Sequence, residues 1–474
     1  MGNEQIGVMI KQGPQSWGII QQVNGTASIA MSGIWSANEA CKSPQVYARV
    51  VREDSAEMIV AWVAAEMGEG QAWTIRLDHV PAGGLYRIET CLQIANAEPE
   101  GERSVVGLEW AMRGDMIHHV GVGDLWVIAG QSNAAGYGKG PVNDPPEMGI
   151  HLLRNNGNWD LATHPFNEST NTIHIENREG GNPGHSPFLA FARMIKRKTG
   201  YPVGLVQTAL GGSPLRSWNP QEEGTLYRNM VNIVQSVGGT VKGVLWYQGC
   251  SDCNPEECHT YGERFGAMVS EWRRDLQDAG LPFITVQLNR HTASPAMNDA
   301  EADRSWGTLR EQQRTAALMM DHVTVVPAID CPLSDEIHNS PAGNLLIGER
   351  MARAALATVY GQNLHYRAPI ISNARLSSDA AGGTTVELEF GDVGGYLLHT
   401  GPSQSVFTLE DEDGNVDVLE WYISGKDTIH IKPGRPLQGQ LYVNGAYERN
   451  PAAYFPLDSL TYMPVLSFYH FPVH

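Results

Sequence analysis

Residues 124–138 read DLWVIAGQSNAAGYG, an apolar run from Leu125 to Ala129 that stops at Gly130 and gives way to Gln131-Ser132-Asn133 and a small, glycine-rich segment. An unbroken apolar run with no polar alternation reads as a strand covered on both faces, as strands of a parallel sheet are. Its end delivers a serine. Four more runs of this kind follow: VGLVQTA at 203–209, GVLWYQG at 243–249, FITVQLN at 283–289 and VTVVPAI at 323–329. Helical patterns lie between them. Ser186-Pro187 precedes Phe188, Phe191, Ala192 and Ile195 and closes on Lys196, Arg197, Lys198 and Gly200, which combines an N-cap, a first-turn proline, a basic last turn and a C-terminal glycine. Leu226, Met230, Ile233, Val234 and Val237 form a second stripe, and Phe265, Met268, Val269, Trp272 and Leu276 a third. The alternation predicts an α/β fold over residues 121–360, a five-stranded parallel sheet with helices on both faces. Ligands of such sheets sit beyond the carboxyl ends of the strands.

The flanks follow a different rhythm. From about residue 30 to 118, Ile75 and Leu77 alternate with Arg76 and Asp78, and Tyr86 and Ile88 with Arg87 and Glu89, the period of half-buried strands. Residues 1–120 are therefore expected to form an N-terminal β-rich module, a small sandwich. After residue 361 the pattern returns: Val386, Leu388 and Phe390 alternate with Glu387 and Glu389, EDEDGNVDV reads as a hairpin turn and DTIHIKPG as a short strand. Residues 361–474 are expected to be a second β-sandwich-like module.

Composition narrows the partners. The 474 residues exceed one ordinary core, and 33 Lys and Arg against 52 Asp and Glu give a net charge of −19, which disfavours nucleic acid and anionic membranes. No apolar run approaches the roughly 18 residues of a membrane span. The opening MGNEQIGVMIKQGPQSW has no hydrophobic signal core, so the expected address is the cytoplasm unless a secretory leader has been removed. Six cysteines are too few for a stapled secreted scaffold. Cys250, Cys253, Cys258 and His259 cluster as C-x2-C-x4-C-H, but a second, well-separated ligand pair is missing, so free thiols or a local disulfide explain them more simply than zinc.

If the five strands are parallel, the residues just past them converge: Gln131-Ser132-Asn133, Gly211-Gly212-Ser213, Gln248-Gly249, Asn289-Arg290-His291 and Ser334-Asp335-Glu336-Ile337-His338. These are the parts of an acyl-transfer site. A serine hydroxyl needs a base to take its proton, and the imidazole of His338 is the candidate. Asp335, three residues earlier, is placed to accept the other ring N–H and hold the tautomer. The N–H groups of Ser132 and Gly212 are candidate donors to a tetrahedral oxyanion. Each residue alone has an ordinary reading: Ser132 as a helix cap, and His118, His119, His185 and His291 as surface or packing residues among 16 histidines. Their joint position at strand ends argues otherwise.

With those residues in view, the sequence resembles the SGNH hydrolases, and within them the sialate O-acetylesterase and acetylxylan esterase group of carbohydrate esterases. AGQSNAAGYG looks like the first block of that group, ALGGSPLRSW the second with Gly212 as oxyanion donor and Trp218 at the usual tryptophan position, WYQGCSD the third, and SDEIHNS the last. The resemblance implies a flavodoxin-like sheet and a Ser132, His338, Asp335 triad. One position departs: many members carry glutamate in the third block where this chain has Cys250, leaving Asp335 the whole orienting role and the side-chain amide of Gln248 as the candidate third oxyanion donor. Cys250 itself lacks the neighbouring cation a thiolate nucleophile requires.

The implied activity is hydrolysis of acetyl esters on sugars, of sialic acid or xylan type, through an acetyl-enzyme and without metal or organic cofactor. The small residues Ala134, Ala135 and Gly136 leave room for a short acyl group. Trp218, Tyr247 and Trp306 are candidates to stack on a sugar, and Arg216 and Arg290 to pair with its carboxylate. Gln131 and Asn133 either contact substrate or brace the first loop. The expected partner is an acetylated carbohydrate, with homo-oligomerisation left open. The competing readings are a carbohydrate-binding protein with a degenerate esterase domain and an esterase for non-sugar short-chain esters or lipids.

Overall fold

The computed structural model describes residues 6–37, 42–95, 111–180, 183–292, 300–378, 382–401, 405–451 and 454–474. Its centre is a run of strands in the spatial order β3-β2-β4-β1-β5-β6-β7, where β1 is Ala111–Gly130, β2 Ile150–Leu153, β3 Trp159–Leu161, β4 Val203–Gln207, β5 Gly243–Tyr247, β6 Phe283–Gln287 and β7 Val323–Pro327. All pairings but that of β3 with β2 are parallel, so six strands run together where five were expected. The missed strand, β2, is four residues long and carries a histidine, His151, whose ring bonds the Trp17 carbonyl at 2.7 Å. It therefore lacks the long apolar run that marks the others.

Register explains the two helical layers. Trp126 pairs with Gly243 and Ala129 with Trp246, so the two tryptophans stand on opposite faces of adjacent strands. Trp126 meets Phe191 of α2 (Phe188–Thr199) edge-on at 5.0 Å. Trp246 meets Phe265 and Trp272 of α4 (Tyr261–Asp275) at 6.0 Å. With α3 (Thr225–Ser236) these follow the three expected stripes, although α2 begins behind Pro187 with no side-chain cap from Ser186, and α1 (Ser132–Ala135) is a single turn that carries no stripe. Two longer helices were not expected. α5 (Ala300–Met319) packs on α4 and is too charged to show a clear stripe, and α6 (Pro341–Thr358) packs on α2, capped by Ser340 accepting from the Gly343 N–H.

The first half of β1 belongs to a different neighbourhood. It pairs antiparallel with 83–95, which carries 42–52 and 58–64, and this layer faces a second sheet of 7–12, 26–36, 66–67 and 72–81. The N-terminal strands are thus two layers, but β1 runs unbroken through the expected boundary at residue 120 and makes one layer part of an eleven-stranded sheet. Beyond α6, strands at 370–378, 384–391, 418–424 and 428–433 form one sheet and strands at 407–411, 414–416, 441–445 and 468–473 another, with a core of Val386, Leu388, Leu409 and Val443.

The site is set by how β1 ends. Chain order reverses on either side of β1, with β4 on one side and β5 on the other, which opens a crevice at its carboxyl end. There Gly130 adopts φ 125°, and a Cβ on it would lie 2.2 Å from the Tyr247 carbonyl oxygen. Gly130→Ala is expected to destabilise the protein by about 3 kcal/mol. An unchanged melting temperature would contradict this close approach.

Candidate active site

Gly130 turns the chain over the end of β5, and the next N–H, of Gln131, donates to the Tyr247 carbonyl at 3.0 Å. Ser132 then opens α1 at the crevice. The second loop hangs from the same strand end: Leu210 N–H and Ser213 Oγ donate to the Gly130 carbonyl at 3.0 and 3.3 Å. The third loop is held by Gln131, whose Oε1 accepts from the Gly249 N–H at 2.9 Å, while Ser251 Oγ donates to the Gly212 carbonyl at 3.1 Å. Three loops are thereby locked together around Ser132.

The fifth loop brings the histidine across 206 residues of chain. His338 Nε2 lies 2.9 Å from Ser132 Oγ, and Nδ1 lies 2.7 Å from Asp335 Oδ2. Asp335 Oδ1 also accepts the backbone N–H groups of Ile337 and His338 at 2.9 and 2.7 Å. Partial burial opposes ionisation of Asp335, but these donors and the His338 ring outweigh it and hold the carboxyl below its ordinary range. An ionised carboxylate only accepts, so Nδ1 carries the proton and the lone pair of Nε2 faces the serine hydroxyl. Ser132 is 8% exposed, so the pair is shielded yet open to a small ligand. Asn133 braces rather than protrudes: its Oδ1 accepts from the Asn339 N–H at 3.0 Å and its Nδ2 donates to the Ile337 carbonyl at 3.2 Å.

Gly212 sits in the left-handed region at φ 66°, is exposed, and has open space where a Cβ would point. Among the described residues no protein acceptor takes its N–H or that of Ser132. Gln248 is different. It is fully buried, and its Nε2 is committed to Asp252 Oδ2 at 2.5 Å and the Ser213 carbonyl at 3.2 Å, which removes it as an oxyanion donor.

The expected sugar contacts are corrected in the same way. Trp218 is fully buried among Trp246 and Trp272 and donates to Ser213 Oγ at 3.0 Å, and Tyr247 is buried with its hydroxyl accepting from Asn339. Trp306 is 3% exposed. None presents a face to a ligand. Arg216 is paired with Glu223 and Glu257 at 2.9 and 3.2 Å, and half-buried Arg290 reaches the Cys331 carbonyl at 3.4 Å. The wall beside the relay is instead Tyr137, its ring 5.2 Å from that of His338, and Glu179, whose Oε1 accepts from Asn167 at 2.8 Å. A Cβ on Gly211 would lie 2.5 Å from Glu179 Oε2 and 2.6 Å from Tyr137 Oη, so both oxygens crowd one point of the second loop. Tyr137 was legible in principle, five residues past the serine. Glu179, in an irregular segment, was not.

Cys250, Cys253 and Cys258 are free thiols. Burial pushes the Cys250 thiol up to about 12, which leaves no thiolate to attack an ester. Metal-ligand atoms of three or more His, Cys, Asp or Glu gather, among the described residues, only at Asp144, His164 and His185. That donor set fits hydrogen bonding better than a cation. Both imidazole Nε2 atoms meet Asp144 Oδ2 at 2.9 and 3.0 Å, Arg193 occupies Oδ1 at 2.7 Å, and the Ser186 N–H donates to His164 Nδ1, which requires the proton on His164 Nε2 where a metal would bind.

A family model described as carbohydrate esterase, sialic acid-specific acetylesterase, matches residues 122–357. A probable carbohydrate esterase of Arabidopsis thaliana is 30% identical over 258 residues, covering 49% of this chain and 90% of that protein. This chain belongs to that family of carbohydrate esterases. Human sialate O-acetylesterase is 21% identical over 375 residues, 69% of this chain and 68% of its own length. The fold is shared along nearly the whole chain with a carbohydrate acetylesterase from Xanthomonas citri, at TM-score 0.65 and 21% identity, covering 97% of this chain and 99% of that one.

The third block of this esterase holds a carboxylate after all, two residues past Cys250. Asp252 is fully buried and accepts the Leu215 N–H at 3.0 Å, tying the third loop to the second. Burial pushes its carboxyl up to about 6 against the Gln248 and Leu215 donors that favour the charge. The folded chain thus binds this proton more tightly than the unfolded one, whose aspartate titrates near ~3.9. Its contribution to stability falls as pH rises across that window, by up to about 1.4 kcal/mol per unit, and stays low above it. Asp252→Asn should remove that slope. Melting curves from pH 4 to 7 should show the variant gaining on the wild type as pH rises; parallel curves would contradict the shift.

Proposed function

We propose that this carbohydrate esterase is an O-acetylesterase acting on sugar acetates through Ser132, His338 and Asp335. The observation that carries the reading is the continuous relay from Asp335 through His338 to Ser132 Oγ, at 2.7 and 2.9 Å, next to two N–H groups without acceptors. Ser132 Oγ attacks the acetyl carbonyl carbon as His338 Nε2 takes its proton, and Asp335 stabilises the imidazolium. The negative charge on the carbonyl oxygen falls to the N–H groups of Ser132 and Gly212. Collapse expels the sugar oxygen, which receives the proton from His338, and leaves acetyl-Ser132. Water, deprotonated by the same imidazole, then releases acetate. The names of the relatives support a sugar as the leaving alcohol.

Ser132→Ala is expected to lower acetate release by at least about 10³-fold, and Asp335→Asn to lower kcat by about 10²-fold to 10⁴-fold with the fold intact. Release of acetate from 4-nitrophenyl acetate and from acetylated xylo-oligosaccharides and O-acetylated sialic acids, offered side by side, measures both the chemistry and the sugar. Sugar binding without Ser132-dependent turnover would favour the degenerate, binding-only alternative.

The sugar-facing wall in this reading is Glu179 with Tyr137, where a carboxylate accepts sugar hydroxyls. Glu179→Gln is expected to raise KM for an acetylated oligosaccharide about tenfold, the worth of one charged hydrogen bond. Turnover of 4-nitrophenyl acetate, which has no sugar to bind, should stay at the wild-type rate. An equal effect on both substrates would remove Glu179 from the sugar wall.

A further inference from the structure

Arg310 of α5 is fully buried and, among the described residues, pairs with no carboxylate. Its guanidinium donates instead to six main-chain carbonyls. Two belong to the end of β6, Leu288 at 3.1 Å and Asn289 at 2.6 Å. Four belong to the loop that follows strand 441–445 of the C-terminal sheets: Ala446 at 3.3 Å, Tyr447 at 3.1 Å, Glu448 at 2.7 Å and Arg449 at 3.4 Å. Burial pushes this guanidinium down to about 10, which still leaves it charged at neutral pH. A buried cation is costly unless its hydrogens are met, and only the planar five-donor fork of arginine can face two strand ends at once.

What it grips leads to the base. Asn289 Nδ2 donates to the Ile337 carbonyl at 2.6 Å and to Asn339 Oδ1 at 3.3 Å, so the residues on either side of His338 are both held by Asn289. The Thr292 N–H donates to the Glu336 carbonyl at 2.8 Å. The C-terminal loop is stitched to the same segment once more, by the His291 N–H on the Arg449 carbonyl at 2.9 Å, and to α5 by the Arg449 N–H on Asp303 Oδ1 at 2.9 Å.

We propose that Arg310 is a positioning residue for the base: it clamps the 446–449 loop of the C-terminal module to Asn289, and Asn289 in turn fixes the loop that carries His338. The C-terminal module is then part of the catalytic apparatus and not an appended sugar-binding unit. The inference rests on the reading of Ser132 and His338 given above. A displacement of the imidazole of about 1 Å is enough to cost on the order of 10²-fold in rate.

The test uses the full chain with 4-nitrophenyl acetate, reading kcat and KM, with competent sites counted by the end-point amplitude of an organophosphate that phosphorylates Ser132. Arg310→Lys keeps a cation but not the fork, and is expected to lower kcat per titrated site 10-fold to 100-fold with KM within about twofold. Asn289→Ala should do the same. The double variant should be no slower than the slower single one, because both break one link; losses that multiply would mean two independent effects and overturn the proposal. If Arg310→Lys does not fold, Asp303→Ala decides, since it loosens the same C-terminal loop without stranding a buried charge. It should lower kcat per site about 3-fold to 10-fold at constant KM. Wild-type kcat per site in the folded variants would overturn the clamp while leaving the esterase reading intact. A wild-type enzyme without Ser132-dependent turnover would overturn both.

Discussion

The contact between Gly130 and the Tyr247 carbonyl is the constraint on which the rest of the site depends. It lets the chain leave β1 across the end of β5 and makes the Gln131 N–H the last bond of the sheet on that side. Three of the four later loops are then referred directly to that turn, the second through the Gly130 carbonyl, the third through Gln131 Oε1 and the fifth through Asn133, while the fourth bonds the fifth through Asn289. A nucleophile at a strand end is useful only if its partners arrive with sub-ångström consistency, and backbone bonds from a buried sheet provide the stiffest available reference.

Polar groups buried without water must find partners, and here they become the fasteners of the loops. Gln131, Asn133, Gln248, Asp252, Asn289 and Asn339 are all buried, and each joins segments remote in sequence. Amides suit this work because they donate and accept without a charge to desolvate. Asp252 is the exception, and the rise of its pKa reflects the cost of keeping a carboxylate where an amide would serve. The surrounding aromatic cluster of Trp218, Trp246 and Trp272 gives the second and third loops a rigid floor.

Elements that bury two faces were readable because their sequences carry nothing else: the runs at 203–207, 243–247, 283–287 and 323–327 are strands, and the stripes of α2, α3 and α4 are helices. β2 escaped because four residues with a histidine do not make a run, and α5 because Arg310, Gln313 and Arg314 stand buried where a stripe should be apolar. In the site, the contact of Ser132, Asp335 and His338 was legible because all three lie just past strands of one parallel sheet, whose ends converge. Trp218, Tyr247 and Trp306 misled because an aromatic near an active-site motif has the same letter whether it faces the core or the solvent. Glu179 lies in irregular chain and Arg310 bonds carbonyls remote in sequence, for which sequence holds no period.

The strand Ala111–Gly130 serves two neighbourhoods in turn, and this bears on the order in which the molecule assembles. Its first half finds its partner, 83–95, close upstream, the nearest pair, Gln93 and Ala111, lying 18 residues apart, so that pairing closes at a lower loop entropy than the parallel ones. The second half must wait for β4 and β5, which are made 79 and 117 residues later by the register of their pairing with it, Val203 on Asp124 and Gly243 on Trp126. Until then, residues 124–130 stand as an apolar template, anchored at one end by the finished layer. The N-terminal strands thereby act as an internal scaffold for growth of the parallel sheet, and the same half-built edge is the point at which a stalled chain would be most prone to stick to its neighbours.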